Sequence, residues 1–200
     1  MVSAKSFTRG AHSRTLRIVG GAWRGRRFRF PAGEIRPTPD RVRETLFNWL
    51  ASRITGARCL DLFAGSGALG LEALSRGAAD VVFVERDATA ARELQARLVE
   101  WGAQGARVER ADALHFLGGA VQGFDIVFLD PPFGSAFLPQ AAQMLEERGW
   151  LASDALIYVE HAARDELPQL PAGWQLVKSK RAGEVGYHLH ERIVPGGASP

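Results

Sequence analysis

The apolar run Phe124–Leu129 stops at Asp130-Pro131-Pro132-Phe133. Two successive prolines can neither continue a strand ladder nor donate hydrogen bonds, so they impose a rigid loop with exposed carbonyls. An acid, free carbonyls and an aromatic ring in that order can hold a planar amine. Asp130 and the Pro131 carbonyl would accept its two N–H groups, and Phe133 would stack on its ring. Held this way, the amine lone pair can be turned toward a methyl donor. Asp130 would either polarise the amine or accept its proton late. The alternative is an acidic turn that happens to carry Pro-Pro.

A second constellation is Asp61-Leu62-Phe63-Ala64-Gly65-Ser66-Gly67-Ala68-Leu69-Gly70, in which Gly65, Gly67 and Gly70 satisfy G-x-G-x-x-G. Glycines at this spacing bring the backbone close to a ligand at a helix N-terminus, and alone they equally announce a dinucleotide. Asp61 is the discriminating residue. A carboxylate at the pocket floor attracts an amine- or sulfonium-bearing ligand and repels a pyrophosphate; otherwise it is a capping acid. Glu85 follows the run Val81–Val84 and could accept from both hydroxyls of a ribose, or pair with Arg86 as a surface carboxylate. Asp112 could accept from an adenine amino group while the Ala113 amide meets a ring nitrogen. It could also cap a helix at 113–117, and both roles can hold together.

These residues need a scaffold that brings them to one edge. From Arg58 onward strands and helices alternate: strands at Cys59–Phe63, Asp80–Glu85, Arg107–Glu109, Phe124–Leu129 and Ala155–Glu160, and helices at Ala68–Ser75, Asp87–Trp101, Ala113–Leu117 and Phe137–Arg148. That alternation predicts an α/β fold with a parallel sheet covered on both faces, whose ligands bind at the carboxyl ends of the strands. Trp174–Lys180 and Tyr187–Ile193 predict a C-terminal antiparallel hairpin, with Gly183 and Gly186 in the turn region. Ahead of the sheet, Leu16–Val19 and Arg26–Phe30 flank turn glycines and read as a small hairpin. Thr38 is expected as an N-cap with Pro39 at the first helical position, opening a helix that buries Val42, Leu46, Trp49 and Leu50.

Charge divides the 200 residues unevenly. Residues 1–60 hold 13 Lys/Arg and 3 Asp/Glu, a net of +10, whereas residues 61–200 carry −7. A folded basic unit whose arginines interleave with Trp23, Phe28 and Phe30 suits nucleic acid, and Arg17, Arg24, Arg26, Arg27, Arg41 and Arg43 are the candidate phosphate contacts. Some of these arginines could instead pair with the acidic body, and segment 36–48 could cover the pocket. The expected organisation is a flexible basic arm at 1–14, a basic hairpin and helix at 15–56, the α/β domain at 57–194 and a tail at 195–200. One cysteine, Cys59, permits no internal disulfide. No apolar run reaches membrane-spanning length, and Met1 to Arg17 lacks the apolar core of a secretory leader. A cytoplasmic monomer without a metal is expected, since the five histidines are scattered and no Cys-x-x-Cys pair is present.

The motifs resemble those of known enzymes. D-x-F-A-G-S-G is similar to the loop of S-adenosylmethionine (SAM) enzymes, and Asp-Pro-Pro-Phe resembles the amino-methylating branch of the class I SAM-dependent methyltransferases. The segments 16–26, 36–50 and 60–76 further resemble the RsmD family, over about residues 15 to 193. The resemblance implies a Rossmann-like, mostly parallel seven-stranded sheet, SAM as cofactor, and methylation of the exocyclic N(2) amine of a guanine in 16S rRNA. The substrate would be the small ribosomal subunit or an assembly intermediate. It implies cofactor contacts from Asp61, Phe63, Ala64, Gly65, Ser66, Gly67, Glu85, Arg86, Asp112 and Ala113, with Asp130, Pro131, Pro132 and Phe133 at the amine. A DNA adenine methyltransferase would share both loops, but the chain has no inserted segment long enough for a DNA target-recognition domain. A nicotinamide-dependent oxidoreductase would share the glycines and Glu85 yet give no reason for Asp130-Pro131-Pro132-Phe133.

Overall fold

The computed structural model describes residues 13–31, 38–132 and 136–194. Phe133, most of the arm and the tail at 195–200 lie outside the described residues. Strands β1 (Ser13–Arg17) and β2 (Arg27–Pro31) form an antiparallel hairpin. Its pairing begins earlier than the sequence suggests: Ser13 and Arg14, placed in the arm above, pair with Pro31 and Phe30. Alternation buries Leu16, Phe28 and Phe30 and leaves Arg17, Arg27 and Arg29 exposed on the other face.

Helix α1 (Asp40–Trp49) follows. Val42, Leu46 and Phe47 are fully buried at helical spacing, while Trp49 is half-buried and stacks on Tyr187 at 5.5 Å. The N-cap is Pro39, with no side-chain cap. Thr38 therefore does not cap this helix, because its hydroxyl is committed elsewhere, as described below.

The large sheet has the order β5-β4-β3-β6-β7-β9-β8. Its parallel strands are β3 (Arg58–Asp61), β4 (Asp80–Val84), β5 (Ala106–Glu109), β6 (Phe124–Leu129) and β7 (Leu151–Ala162). The helices between them are α2 (Ala68–Ser75), α3 (Ala88–Glu100), α4 (Ala113–Leu117) and α5 (Phe137–Glu147). Strands buried on both faces need unbroken apolar runs, which Val81–Val84 and Ile126–Leu129 supply. One core cluster, including Leu71, Phe83 and Phe128, fills one face; another, including Val82, Leu129 and Trp150, fills the other. Strands β8 (Trp174–Ala182) and β9 (Val185–Arg192) form the antiparallel hairpin at the edge. Its turn uses Gly183 at φ +60°, whereas Gly186 lies within β9, where an added Cβ would meet the His161 ring at 2.6 Å. Gly186 is thus a packing residue and not a turn residue.

The N-terminal unit is fixed to α2 by a buried acid. Glu72, with no exposure, accepts from Val19 N (2.9 Å), Gly20 N (2.8 Å) and Arg76 Nε (2.8 Å). Ser75 adds a donated bond to the Gly20 carbonyl (2.6 Å) and accepts from Trp23 N (2.9 Å). Gly21 passes so close that a Cβ there would lie 1.9 Å from the Ser75 carbonyl oxygen. A buried carboxylate with three donors is stable; removing it would strand those donors at a cost of about 3–5 kcal/mol.

Candidate active site

Strand order reverses between β3 and β6, where an open parallel sheet forms a crevice at its carboxyl edge. A cavity of about 410 Å³ occupies that place. Asp61, Phe63, Ala64, Gly65, Ser66, Glu85, Arg86, Asp112, Ala113, Asp130, Pro131 and Pro132 all line it. The strand-to-loop junctions of β3, β4, β5 and β6 therefore converge as the spacing predicts. Gly67 does not line the cavity. It is the left-handed residue (φ +78°) that opens α2, and a Cβ there would meet Leu94 at 2.5 Å.

One end of the cavity is a loop whose backbone donors are already taken by carboxylates. Glu85 accepts from Gly65 N through one oxygen and from Asp87 N through the other, each at 2.7 Å. Asp61 accepts from Gly70 N at 2.9 Å, so it does cap α2 from a distance while lining the cavity. It is 3% exposed, and burial pushes its carboxyl up to about 7. Asp112 accepts from Leu114 N (2.9 Å) and His115 N (3.2 Å) through one oxygen, so it caps α4 and also lines the cavity. In dinucleotide sites glycine-loop amides meet the pyrophosphate. Here the Gly65 and Gly70 amides face the chain's own acids, and three carboxylates line this end. These acceptors fit a ligand bearing a positive charge, a diol and an amine, and oppose a pyrophosphate.

The other end carries Asp130, Pro131 and Pro132. Thr38, 4% exposed and 92 residues away in sequence, donates its hydroxyl to Asp130 Oδ2 at 3.3 Å. Thr38 and Pro39 form part of the cavity wall, so the segment before α1 does cover the pocket. Phe137 also lines this wall, with its ring centroid 6.3 Å from that of Phe63. Glu160 in β7 lines it too, 3% exposed, and accepts from the Tyr158 hydroxyl at 2.7 Å. Sequence reasoning missed Thr38, Phe137 and Glu160 as site residues. Glu160 had a readable signal, because Ile157-Tyr158-Val159-Glu160 repeats the pattern of an apolar strand ending in an acid seen at Asp61, Glu85 and Asp130.

The arginines separate into two groups. Arg17, Arg24, Arg26, Arg27 and Arg41 are exposed. Arg17 pairs with Asp40 at 3.0 Å yet remains 55% exposed, and the Arg26 guanidinium lies 5.9 Å from the Trp23 ring and 5.5 Å from the Trp101 ring. Arg43 corrects the expectation. It has no exposure, and its guanidinium donates to the Thr38 carbonyl (2.6 Å), the Arg17 carbonyl (2.5 Å) and Asp40 (2.8 Å). It lies on the buried face of α1 beside Val42 and Phe47 and ties the segment over the cavity to the hairpin; it does not present a cation to a polyanion. Among the described residues, no cluster of three or more His, Cys, Asp or Glu could hold a metal ion, and no helix is long and apolar enough to cross a membrane.

The chain is similar to known proteins over most of its length. The family model described as Conserved hypothetical protein 95 matches residues 16–191. Ribosomal RNA small subunit methyltransferase D of Escherichia coli is 50% identical over 182 residues, covering 90% of this chain and 92% of that protein. The protein of the same name from Haemophilus influenzae is 45% identical, covering 88% and 93%. The solved structure of Escherichia coli yhhF superposes with a TM-score of 0.85 at 50% identity, over 90% of this chain and 99% of that one. With the sheet order, the two loops and these matches, the chain belongs to the RsmD family, and its α/β domain has the Rossmann-like methyltransferase fold.

Proposed function

We propose that this protein is an rRNA methyltransferase that uses SAM to methylate the exocyclic N(2) amine of a guanine in 16S rRNA of the small ribosomal subunit. The observation that carries the reading is the cavity itself. One end offers acids to a cationic, ribose-bearing ligand, and the other offers Asp130 and the Pro131 carbonyl to an amine. The names of the relatives, ribosomal RNA small subunit methyltransferase D, supply the RNA.

When bound, SAM supplies a methyl group on a positively charged sulfur, which an amine lone pair takes as a neutral thioether departs. Asp61, Gly65, Glu85, Arg86, Asp112 and Ala113 would hold it, with Phe63, Ala64 and Ser66 forming the remaining wall. A guanine must leave its stack to reach the cavity. Asp130 Oδ1 and the Pro131 carbonyl then accept the two amine N–H groups and point the lone pair inward, while Thr38 holds Asp130 Oδ2. Phe133 would supply the stacking ring. The departing amine proton passes to Asp130. Most of the rate gain is orientation, worth roughly 7–11 kcal/mol in favourable systems.

Residues 15–56 would grip RNA. Arg17 and Arg27 stand directly opposite each other across the hairpin, an arrangement that destabilises a two-stranded sheet unless an anion is near. Asp40 meets Arg17 alone among these two, and phosphate would complete the neutralisation. The test is transfer of label from SAM to small subunits, naked 16S RNA and duplex DNA from a strain lacking the enzyme. Label in N(2)-methylguanine of the subunit RNA supports the reading. Label confined to DNA overturns the substrate, and absence of SAM binding overturns the reading of the glycine loop.

A further inference from the structure

Four of the parallel strands deliver an acid to the cavity. The proposed function uses those of β3, β4 and β6, together with Asp112, and leaves Glu160 of β7 without a task. Leu129 pairs with Val159, so Asp130, just past the end of β6, lies next to Glu160, which is still within β7, and both line the cavity. Neighbouring strands lie about 4.8 Å apart, which sets these two carboxylates against adjacent groups on one edge of a small planar ligand. Glu160 is held in place. The Tyr158 hydroxyl, itself buried, spends its one proton on Glu160 Oε1 at 2.7 Å. Burial and the nearby Glu160 and Asp130 charges raise the Tyr158 pKa well above its usual value, so the hydroxyl remains a donor.

The geometry points to Glu160 as the residue that selects the base, by accepting the ring N1–H of the target guanine while Asp130 takes the neighbouring exocyclic amine. This rests on the reading of the substrate amine as guanine N(2). Guanine is the purine whose Watson–Crick edge presents an N–H at N1 beside its amine. Adenine presents a bare lone pair at N1, which a buried carboxylate repels. A site built to hydrogen-bond a donor rejects an analogue lacking it far more strongly than a hydrophobic pocket rejects a change of size, by up to about 10⁴–10⁵-fold. Two side-by-side acids thus suit guanine and exclude adenine, whatever sequence surrounds the base.

The test changes the hydrogen-bonding pattern of the base edge beside the amine. The labelled guanine is first located by digestion of methylated subunit RNA. Subunits are then reconstituted with 2,6-diaminopurine at that position, which keeps the 2-amino group, exchanges N1–H for a lone pair and carries an amine in place of the O6 carbonyl. Wild-type kcat/KM is expected to fall about 100-fold or more on the analogue. Glu160→Gln, whose amide can donate to that lone pair, is expected to lose activity on guanine and to bring the two substrates within about threefold, with SAM affinity unchanged. Equal turnover of both substrates by the wild type overturns the assignment without any variant. Retention of the full preference by Glu160→Gln, or by Tyr158→Phe with lost SAM binding as its only defect, overturns it as well. A digest showing the methyl group on any atom other than guanine N(2) overturns the underlying reading, and does so before a variant is made.

Discussion

The two ends of the cavity are built differently. At the glycine-loop end, Asp61, Glu85 and Asp112 are fixed by backbone amides at separations of 2 to 20 residues, from the segments that follow their own strands and, for Glu85, also from Gly65 in the loop after the neighbouring β3. At the amine end, Asp130 is held by the hydroxyl of Thr38, 92 residues away, and the wall is completed by Glu160 and Phe137 from other elements. A cofactor end of this kind forms from three consecutive strand-loop-helix units that are neighbours in the sheet. The amine end also needs the N-terminal unit in place: Arg43 holds the Thr38 carbonyl, and Glu72 holds the chain at Val19 and Gly20 against α2. Cofactor binding and transfer should therefore be separable by mutation.

The largest expected separation comes from Asp130→Ala. Loss of a positioned acid that handles the amine should lower methyl transfer by about 10²–10⁴-fold, while SAM titration stays within about twofold of the wild type. Loss of SAM binding in this variant would break the distinction.

Asp61→Asn should do the reverse, weakening SAM by roughly 10–100-fold, as expected for a hydrogen-bonded buried charge. The sign of its pH dependence follows from its raised pKa. With a folded value of about 7 against an ordinary 3.8, the folded chain holds more protons than the unfolded chain between those values. Stability of the ligand-free protein should fall as pH rises from about 4 to 7 and level off above. SAM affinity should run the other way, weakening by up to about tenfold from pH 8 to pH 6 as Asp61 becomes neutral. The Asp61→Asn variant should lose both trends and melt no lower than the wild type at pH 8; differential scanning calorimetry and titration calorimetry check each.

A smaller effect is expected at the contact between the two units. Thr38→Val keeps the shape and removes the hydroxyl that steadies Asp130, and kcat should fall roughly five- to tenfold, with unchanged SAM affinity. Thr38→Ser should restore most of it. A structural role alone would leave kcat untouched or would not be rescued by serine.

The smallest effect sharpens the boundary of the RNA surface. Arg27→Ser should reduce the slope of log affinity for subunit RNA against log salt by about one, with little change in the rate at saturation. Arg43→Ser should instead lower the melting temperature, because its guanidinium serves internal acceptors and has no exposure.

These contrasts explain what the residues disclosed before the fold was seen. The parallel sheet, the hairpin at its edge and the glycine-loop acids were legible because each arises from local periodicity, and Asp61 through Gly70 is contiguous. Thr38 misled for a physical reason: its type and place before Pro39 are those of an N-cap, and only the fold shows a carboxylate near enough to compete for its hydroxyl. Arg43 misled likewise. Arginine is rarely fully buried, and although Arg43 stands at the edge of the buried face with Asp40 one turn away, the Arg17 carbonyl that completes its acceptors comes from the hairpin 26 residues earlier. Glu160 was within reach, since it follows the apolar run Leu156–Val159 as the other acids follow theirs, although β7 continues past it to Ala162 and no glycine or proline loop marks it.

The separability of the two ends is tested most directly by titrating SAM and then NAD into the wild-type and Asp130→Ala proteins. One SAM site of equal affinity is expected in both proteins and no NAD binding in either, because the Gly65 and Gly70 amides already serve Glu85 and Asp61. NAD binding, or SAM binding that disappears with the Asp130 carboxylate, would contradict it.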